Sequence, residues 1–183
     1  MKRKRALQII LCAVLVLGML ALAGCTKGTD QEGQGGTGEL ELQTYRLALF
    51  FANEEYIATG DESLEKFMVY EKEVEAKPGE AYKMALEELK TSPEEGYSTV
   101  ITDQIKFNDV YLEGDTAFVD LSSEGLNGGS LEETFLIGQT VDTLINSFDE
   151  VKQVQFLVDG QTAETLMGHV GTADPFTADL FTE

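Results

Sequence analysis

The N-terminal 25 residues constrain this chain most, because they decide which part of it can fold and which covalent links remain. A basic head at residues 2–5 precedes an apolar run at residues 6–21 that only Gln8 interrupts. The run is shorter than the roughly 20 residues of a membrane-spanning helix, so a permanent transmembrane segment is the weaker interpretation. The basic head and the short apolar run together are typical of a secretory signal, which predicts an exported chain.

The end of this signal indicates how the exported chain is held. The string Leu22-Ala23-Gly24-Cys25 resembles the lipobox of bacterial lipoproteins, in which the cysteine sulfur receives a diacylglycerol and becomes the new N-terminus after cleavage. The resemblance implies a signal peptide at residues 1–24, cleavage between Gly24 and Cys25, and lipidation of Cys25. Two acyl chains would then anchor the protein at the outer face of the cytoplasmic membrane. An ordinary signal peptide with a chance cysteine near the cut is the alternative.

Cysteine content and charge limit the mature chain. Cys12 leaves with the signal, so Cys25 remains alone and cannot form an internal disulfide. Of 13 Lys and Arg, four leave with the head, and 9 against 33 Asp and Glu give a formal charge of -24. Such a surface argues against nucleic acid and anionic headgroups as direct partners. A cationic partner stays open beside the simpler interpretation, which is solubility outside the cell.

Composition divides the mature chain into a tether and one domain. Residues 25–44 contain the lipidated cysteine, five glycines and almost no apolar side chains. This composition predicts a flexible tether with a reach of about 25 Å. Residues 45–183 have the size of one domain with a single core.

Hydrophobic periodicity predicts five strands and two helices in this domain. The predicted strands are residues 45–52, 64–74, 104–112, 116–121 and 151–158. The predicted helices begin at Glu80 and Ser130 and end near Lys90 and Ser147. The order strand, strand, helix, strand, strand, helix, strand predicts an α+β fold, in which a small mixed sheet carries both helices on one face.

Short polar strings predict how these elements begin and end. Ser130, with Glu133 three residues later, predicts a capping box at the start of the second helix. The E-G-D string at residues 113–115 predicts a hairpin turn, and the D-G pair at residues 159–160 predicts a turn after the last strand. Residues 168–183 are expected to be irregular.

Five strings, in order along the chain, resemble the GerMN family of sporulation and germination proteins. They are L-A-L-F-F-A-N-E-E from Leu47, A-L-E-E-L from Ala85 with Pro93, G-D-T-A-F-V-D-L from Gly114, V-Q-F-L-V-D-G from Val154, and E-T-L-M-G-H-V from Glu164 with Pro175-Phe176. The resemblance implies a domain like the ring-building modules of secretion systems, present here once rather than twice. It also implies a role in assembly within the envelope, and it supplies no catalytic residues.

Side chains with reactive or metal-binding chemistry are few. His169 is the only histidine, and no G-x-S-x-G string accompanies it, so a serine hydrolase is not expected. The imidazole nitrogens are instead expected to satisfy backbone groups and to anchor the closing segment, residues 164–176. One histidine without a usable cysteine predicts no zinc site, and no calcium-loop string occurs. We therefore expect no catalytic residues, no metal and no cofactor.

Paired carboxylates and aromatic residues are the remaining candidates. Glu87 with Glu88, and Glu132 with Glu133, are adjacent on helices, where neighbouring side chains point about 100 degrees apart. They predict solvated faces rather than a glycosidase pair. The strand spacing of six aromatic residues favours a place in the core. A sugar or peptide groove lined by these rings is the alternative. These residues are Phe50, Phe51, Phe67, Tyr70, Phe107 and Tyr111.

Two functions from different classes follow. The first is a non-enzymatic, lipid-anchored adaptor whose domain packs against another envelope protein, or against copies of itself, in sporulation or germination. The second is an extracytoplasmic module that binds cell-wall glycan or a small solute. A hydrolase that uses His169 is the third and weakest hypothesis, and the sequence assigns no binding residues.

Overall fold

The computed structural model describes residues 41–178 of the chain. The predicted signal peptide, Cys25 and most of the predicted tether lie outside the described residues. The first strand begins at Gln43, just before the predicted start of the domain at residue 45. Among the helices of this range, none is both long enough and apolar enough to cross a membrane.

Seven strands and three helices make up the described part of the chain. The strands are β1 (Gln43–Asn53), β2 (Phe67–Ala76), β3 (Tyr97–Ser98), β4 (Phe107–Glu113), β5 (Thr116–Leu121), β6 (Gln153–Val158) and β7 (Gln161–Thr162). The helices are α1 (Glu54–Thr59), α2 (Glu80–Glu88) and α3 (Ser130–Ser147). The predicted α+β class is confirmed, and the five predicted strands and two predicted helices are all present. The short elements α1, β3 and β7 are additions that the sequence does not predict.

The strands form two sheets where the sequence predicts one. Sheet A has the order β2-β1-β3, and sheet B has the order β4-β5-β6-β7. Neighbours in sheet A are antiparallel. In sheet B, β5 and β6 are parallel because the chain returns through α3 between them, whereas β4–β5 and β6–β7 are antiparallel. Sheet B is therefore the mixed sheet.

The core lies between the sheets and the two longer helices. Alternation along β1 turns Leu47, Leu49 and Phe51 inward, and all three are buried. From α2 the buried stripe includes Ala85 and Leu86, as its three-to-four spacing predicts. Residues of both sheets, α2 and α3 belong to one hydrophobic cluster. The described domain thus rests on a shared core rather than on disulfides.

Two glycine turns connect the strands of sheet B. Gly114 has φ +66 between β4 and β5, a left-handed conformation that glycine adopts without steric cost. Asp159 has φ 49 and Gly160 has φ 77 between β6 and β7. Both central residues of this second turn are left-handed, which suits the twist of an antiparallel pair. Both predicted turns are thus present, and the second leads into β7.

Helix α3 replaces a missing strand along one edge of β1. Strand β3 pairs with β1 only at Ala52 and Asn53, which leaves the rest of that edge without a strand. Ser147 Oγ accepts the Ala48 N–H at 2.9 Å, and Thr143 Oγ1 accepts the Phe50 N–H at 3.0 Å.

Gln139 continues the same row one helical turn earlier. Its Nε2 donates to the Phe50 carbonyl at 3.2 Å, and its Oε1 accepts the Val100 N–H at 3.1 Å. Residues 139, 143 and 147 are four apart, so they share one face of α3. These side chains satisfy buried backbone groups that would otherwise be unpaired.

The predicted capping box at Ser130 and Glu133 is wrong by one residue. Gly129 is the N-cap of α3, and Glu132 Oε2 accepts the Gly129 N–H at 3.0 Å. Glycine has no side chain to complete the reciprocal half of the box. The shift leaves Glu133 available for a different contact inside the domain.

Candidate functional site

Glu133 is fully buried, so the prediction that it belongs to a solvated face is wrong. Its Oε1 accepts the N–H groups of Leu166 at 2.8 Å and Met167 at 2.7 Å. Its Oε2 accepts those of His169 at 2.7 Å and Val170 at 3.1 Å. Four backbone donors compensate the cost of burying this carboxylate. The carboxylate therefore holds the closing segment against α3.

His169 anchors the closing segment through its backbone rather than through its ring. Its N–H donates to Glu133, whereas its side chain is exposed. Within residues 41–178 the imidazole has no hydrogen-bond partner, so the prediction that its nitrogens satisfy backbone groups is wrong. A general base must be held within reach of the proton that it removes. The exposed ring does not belong to such an arrangement in the described residues.

The other predicted carboxylate pair, Glu87 with Glu88, forms surface ion pairs. Glu88 Oε2 lies 2.5 Å from Lys72 Nζ, and Glu87 Oε2 lies 2.8 Å from Lys90 Nζ. Each carboxylate has its own cation, and the two do not converge on a common site. Within residues 41–178, no group of three or more His, Cys, Asp or Glu side chains is placed to hold a metal ion.

The six aromatic candidates divide between the core and the surface. Phe51 and Phe107 are buried, and Phe50, Phe67, Tyr70 and Tyr111 are partly exposed. They are spread over β1, β2 and β4, so they do not line a single groove. The sequence pattern could not separate these cases, because strand alternation gives the two faces of a sheet but not what covers each face.

One cavity of about 330 Å³ lies beside α1, β2 and the start of α3. Its lining includes the rings of Tyr56, Phe67 and Phe135, together with Lys66 and Leu131. Phe135 packs against Tyr56 at 6.1 Å and against Phe67 at 5.2 Å between ring centroids. The volume of the cavity lies at the lower end of the range for small-molecule sites.

Asn53 holds two walls of this cavity in place through hydrogen bonds to α1 and to the residues just before β2. Its Oδ1 accepts the N–H groups of Glu55 at 3.0 Å and Tyr56 at 3.4 Å, which caps α1. Its Nδ2 donates to the Glu65 carbonyl at 2.9 Å, and its N–H donates to the Lys66 carbonyl at 2.9 Å. The N-E-E string, which begins with the last residue of β1, is a capping signal that would have revealed α1.

The outer strand of sheet A presents the second candidate site, which we call the β2 edge. β2 pairs with β1 on one side and ends the order of the sheet in the described residues. Val69 is 46% exposed, and Glu71, Glu73 and Glu75 are exposed on the same face of the strand. Charged residues on an edge strand discourage unwanted pairing. The E-K-E-V-E pattern in the sequence is the signal for such an edge.

Comparison with known proteins confirms the GerMN resemblance. The model of the Germane family, described as sporulation and spore germination, matches residues 48–164, which is more than half of the chain. No curated protein matches this chain.

Solved structures match this chain at low sequence identity. The first GerMN domain of the sporulation protein GerM from Bacillus subtilis matches with TM-score 0.55 and 20% identity, covering 74% of this chain and 96% of that chain. The tandem GerMN domains of the same protein match with TM-score 0.49 and 15% identity over 80% of this chain, which spans 48% of that chain. A candidate lipoprotein from Clostridium perfringens matches with TM-score 0.48 and 18% identity, covering 74% of this chain and 89% of that chain.

The family match runs from β1 to the residues just after β7, so it includes most of both sheets and all three helices. This chain belongs to the Germane family of sporulation and spore germination.

Proposed function

We propose that this chain is a non-enzymatic lipoprotein, anchored through Cys25 at the outer face of the cytoplasmic membrane. Its Germane domain binds another envelope protein, or further copies of itself, during sporulation or germination. The lipobox string and the family description support this role. The β2 edge is the structural observation that carries the proposal.

A long edge strand suits protein-protein interaction. β2 presents one row of backbone N–H and C=O groups that a partner strand can pair with. The opposite edge of sheet A is occupied by β3 and by the side chains of α3 that bond to Ala48 and Phe50. Val69 adds an exposed apolar side chain beside the row. The partner thus gains backbone hydrogen bonds and one apolar contact.

The charges on β2 favour a different protein over a second copy at this edge. Two antiparallel copies paired about Lys72 would place Glu71 of each copy opposite Glu73 of the other. Like charges directly opposite on neighbouring strands are destabilising. A partner strand with neutral or basic side chains avoids that repulsion, and copies of the domain would associate through another surface.

Site-specific photo-crosslinking in intact cells tests the proposal. A photoreactive amino acid at Val69 is expected to give an adduct with a second, different protein. The same amino acid at Thr102, an exposed residue of the loop before β4, serves as the control. Recovery of monomer alone from every exposed position, in sporulating and in vegetative cells, would overturn the proposal.

The aromatic cavity supports a second candidate, a binding module for a glycan fragment or a small solute. Its three rings offer apolar contact, and Lys66, Ser130 and Thr134 offer polar groups at its lining. Titration with soluble cell-wall fragments, followed by calorimetry, tests this function. Heat of binding that disappears in Leu131→Asp would support it, and flat traces with the parent protein would reject it.

A further inference from the structure

Sheet B carries a stacked pair of aromatic rings on the side that faces away from the core. Tyr111 on β4 and Phe118 on β5 are directly opposite in the antiparallel register. Their ring centroids are 5.3 Å apart, and the ring planes differ by 10°. Val110 and Val119, the next residues along each strand, point into the core and are buried. Both rings are partly exposed.

The closing segment covers the neighbouring part of this face and leaves the ring pair uncovered. Gln155 on β6 lies beside Phe118 in the parallel register, but it is 6% exposed. Its Nε2 donates to the Thr172 carbonyl at 3.0 Å, so the closing segment passes over it. β4 lies on the other side of the rings and ends the order of sheet B. The rings therefore lie on the last two strands at this end of sheet B.

Three carboxylates surround the rings. Asp109 and Glu113 flank Tyr111 on β4, and Asp120 lies directly opposite Asp109 on β5. Burial, followed by the charges of Glu113, Asp109 and Asp120, raises the pKa of Tyr111. Asp120 also accepts the Gly160 N–H at 2.8 Å, which supports the turn into β7.

The opposed pair Asp109 and Asp120 is unfavourable for the isolated sheet, because like charges directly across neighbouring strands repel each other. Neither β4 nor β5 contains a lysine or arginine. Lys83 of α2 lies near Asp109, but its Nζ donates to the Asn108 carbonyl at 3.0 Å and forms no ion pair with either carboxylate. A cation that approaches the rings from outside would be attracted to both carboxylates. An acidic partner would be repelled, and a purely apolar partner would have to strip water from the carboxylates without replacing it.

We propose that this face, consisting of Tyr111, Phe118, Asp109, Glu113 and Asp120, docks a basic segment of a partner protein. An arginine or lysine side chain lies over the aromatic pair and forms ion pairs with the carboxylates. The ring faces attract a cation, and a guanidinium can stack on a ring while it donates to a carboxylate. This inference rests on the proposed function, because it names the chemistry of the partner that the adaptor binds.

Peptide binding to the full-length chain in neutral detergent tests the proposal directly. The chain contains no tryptophan, so the fluorescence of a tryptophan-labelled peptide can be followed without background. The probe is a capped pentapeptide with the sequence Arg-Gly-Arg-Gly-Trp, and its companion has citrulline in place of both arginines. The arginine peptide is expected to bind with a Kd at least about tenfold lower than that of the citrulline peptide, a ratio equivalent to 1.4 kcal/mol.

Charge-matched variants separate this face from the general negative charge of the protein. Asp109→Asn with Glu113→Gln is expected to raise the Kd of the arginine peptide about fivefold to tenfold, as loss of two surface ion pairs predicts. Glu73→Gln with Glu75→Gln removes the same charge from the β2 edge, and a change of less than about twofold is expected. All four residues are exposed, so both variants should fold. Equal weakening by both variants would overturn the proposal.

Tyr111→Leu tests the role of the rings while all carboxylates remain. It is expected to weaken the arginine peptide about threefold, which corresponds to a lost cation-ring contact. An unchanged Kd would overturn the docking geometry. In cells, photo-crosslinks from Val69 that persist in the Asp109→Asn with Glu113→Gln variant would reject this inference and leave the proposed function standing. Absence of adducts from every exposed position of the parent would reject the proposed function instead.

Discussion

The carboxylate of Glu133 is held by four backbone N–H groups, so we expect the stability of the domain to depend on this side chain. Glu133→Gln replaces one acceptor oxygen with an NH2 group that faces two donors. The free energy of unfolding is expected to fall by about 3 kcal/mol, because buried donors lose their acceptor. Urea denaturation measures the change, and hydrogen exchange should show faster opening of the amides of Leu166 and Val170.

Glu132→Gln is the matched control for this prediction. Glu132 is exposed and accepts one N–H at the start of α3. The glutamine oxygen can accept the same bond, so a change within about 0.5 kcal/mol is expected. If both variants unfold at the same urea concentration as the parent, the closing segment does not depend on Glu133.

Asp142 on α3 gives a prediction about pH. Burial raises the pKa of Asp142 from 3.8 to about 6. Because the folded pKa exceeds the unfolded one, the folded state binds more protons between about pH 4 and pH 6. The associated stability is present below pH 4 and is lost as the pH rises through 6.

Asp142→Asn removes this dependence and is expected to stabilise the domain at pH 8. A shift of this size corresponds to about 3 kcal/mol, and solvent screening of a partly exposed carboxylate reduces the expected gain to about 1 kcal/mol. At pH 4 the gain should disappear. Urea denaturation of variant and parent at both pH values measures the difference, with Asp149→Asn as an exposed control. A larger gain at pH 4 than at pH 8 would contradict the sign.

At the residue scale, local signals in the sequence reach only part of the structure. The turn at residues 159–160 was predictable, because the left-handed conformation of an aspartate-glycine pair is a local preference. The contacts of Glu133 were not, because its partners lie more than 30 residues away, in a segment without periodic pattern. The N-cap is Gly129 rather than Ser130, so Glu132 accepts the N-cap N–H and Glu133 faces the interior.

The row of polar side chains on α3, Gln139, Thr143 and Ser147, forms hydrogen bonds to the part of the β1 edge that has no neighbouring strand in the described residues. Thr143→Val keeps the shape of the side chain but removes the acceptor of the Phe50 N–H. The variant is expected to lower the free energy of unfolding by about 2 kcal/mol, since a buried donor is left unpaired. Urea denaturation measures the loss, and hydrogen exchange should be accelerated at Phe50. Thr134 is half-buried near the start of the same helix, and its hydroxyl donates to the Ser130 carbonyl. Thr134→Val leaves no donor unpaired and should cost less than about 0.5 kcal/mol.

At the element scale, length decides what a periodic pattern can predict. The prediction for α3 agrees with the observed Ser130–Ser147, because eighteen residues repeat the apolar spacing several times. β3 and β7 have two residues each, which is too short for any alternation to be visible. Division into two sheets depends on which backbone groups α3 satisfies, and strand patterns do not contain that information.

At the scale of the whole molecule, the acidic charge and the arrangement of exposed surfaces both support the proposed binding of a basic partner. An acidic domain attracts a basic partner over distances longer than a contact, so encounter should be faster at low salt. In the proposed complex, the β2 edge of sheet A and the aromatic and acidic face of sheet B around Tyr111 would provide the short-range contacts. Composition predicted the first property, whereas the second required the register of the strands.

The proposed lipid anchor depends on one sulfur atom, so Cys25→Ser makes the last prediction. Without a thiol at that position, no thioether to diacylglycerol can form, and cleavage after Gly24 should fail. The variant is expected to lose incorporation of a fatty-acid label and to keep the mass of its uncleaved N-terminus, whereas the parent is labelled and cleaved. Mass spectrometry of the N-terminal peptide measures both properties.

The other cysteine provides the matched control, because Cys12 lies within the predicted signal peptide and is expected to be absent from the mature chain. Cys12→Ser should therefore be labelled and cleaved like the parent. Label on Cys25→Ser equal to that on the parent would show that the acyl group is attached elsewhere. The anchor and the location at the membrane would then need another explanation, while the contacts of the folded domain, which begin at β1, would be unaffected.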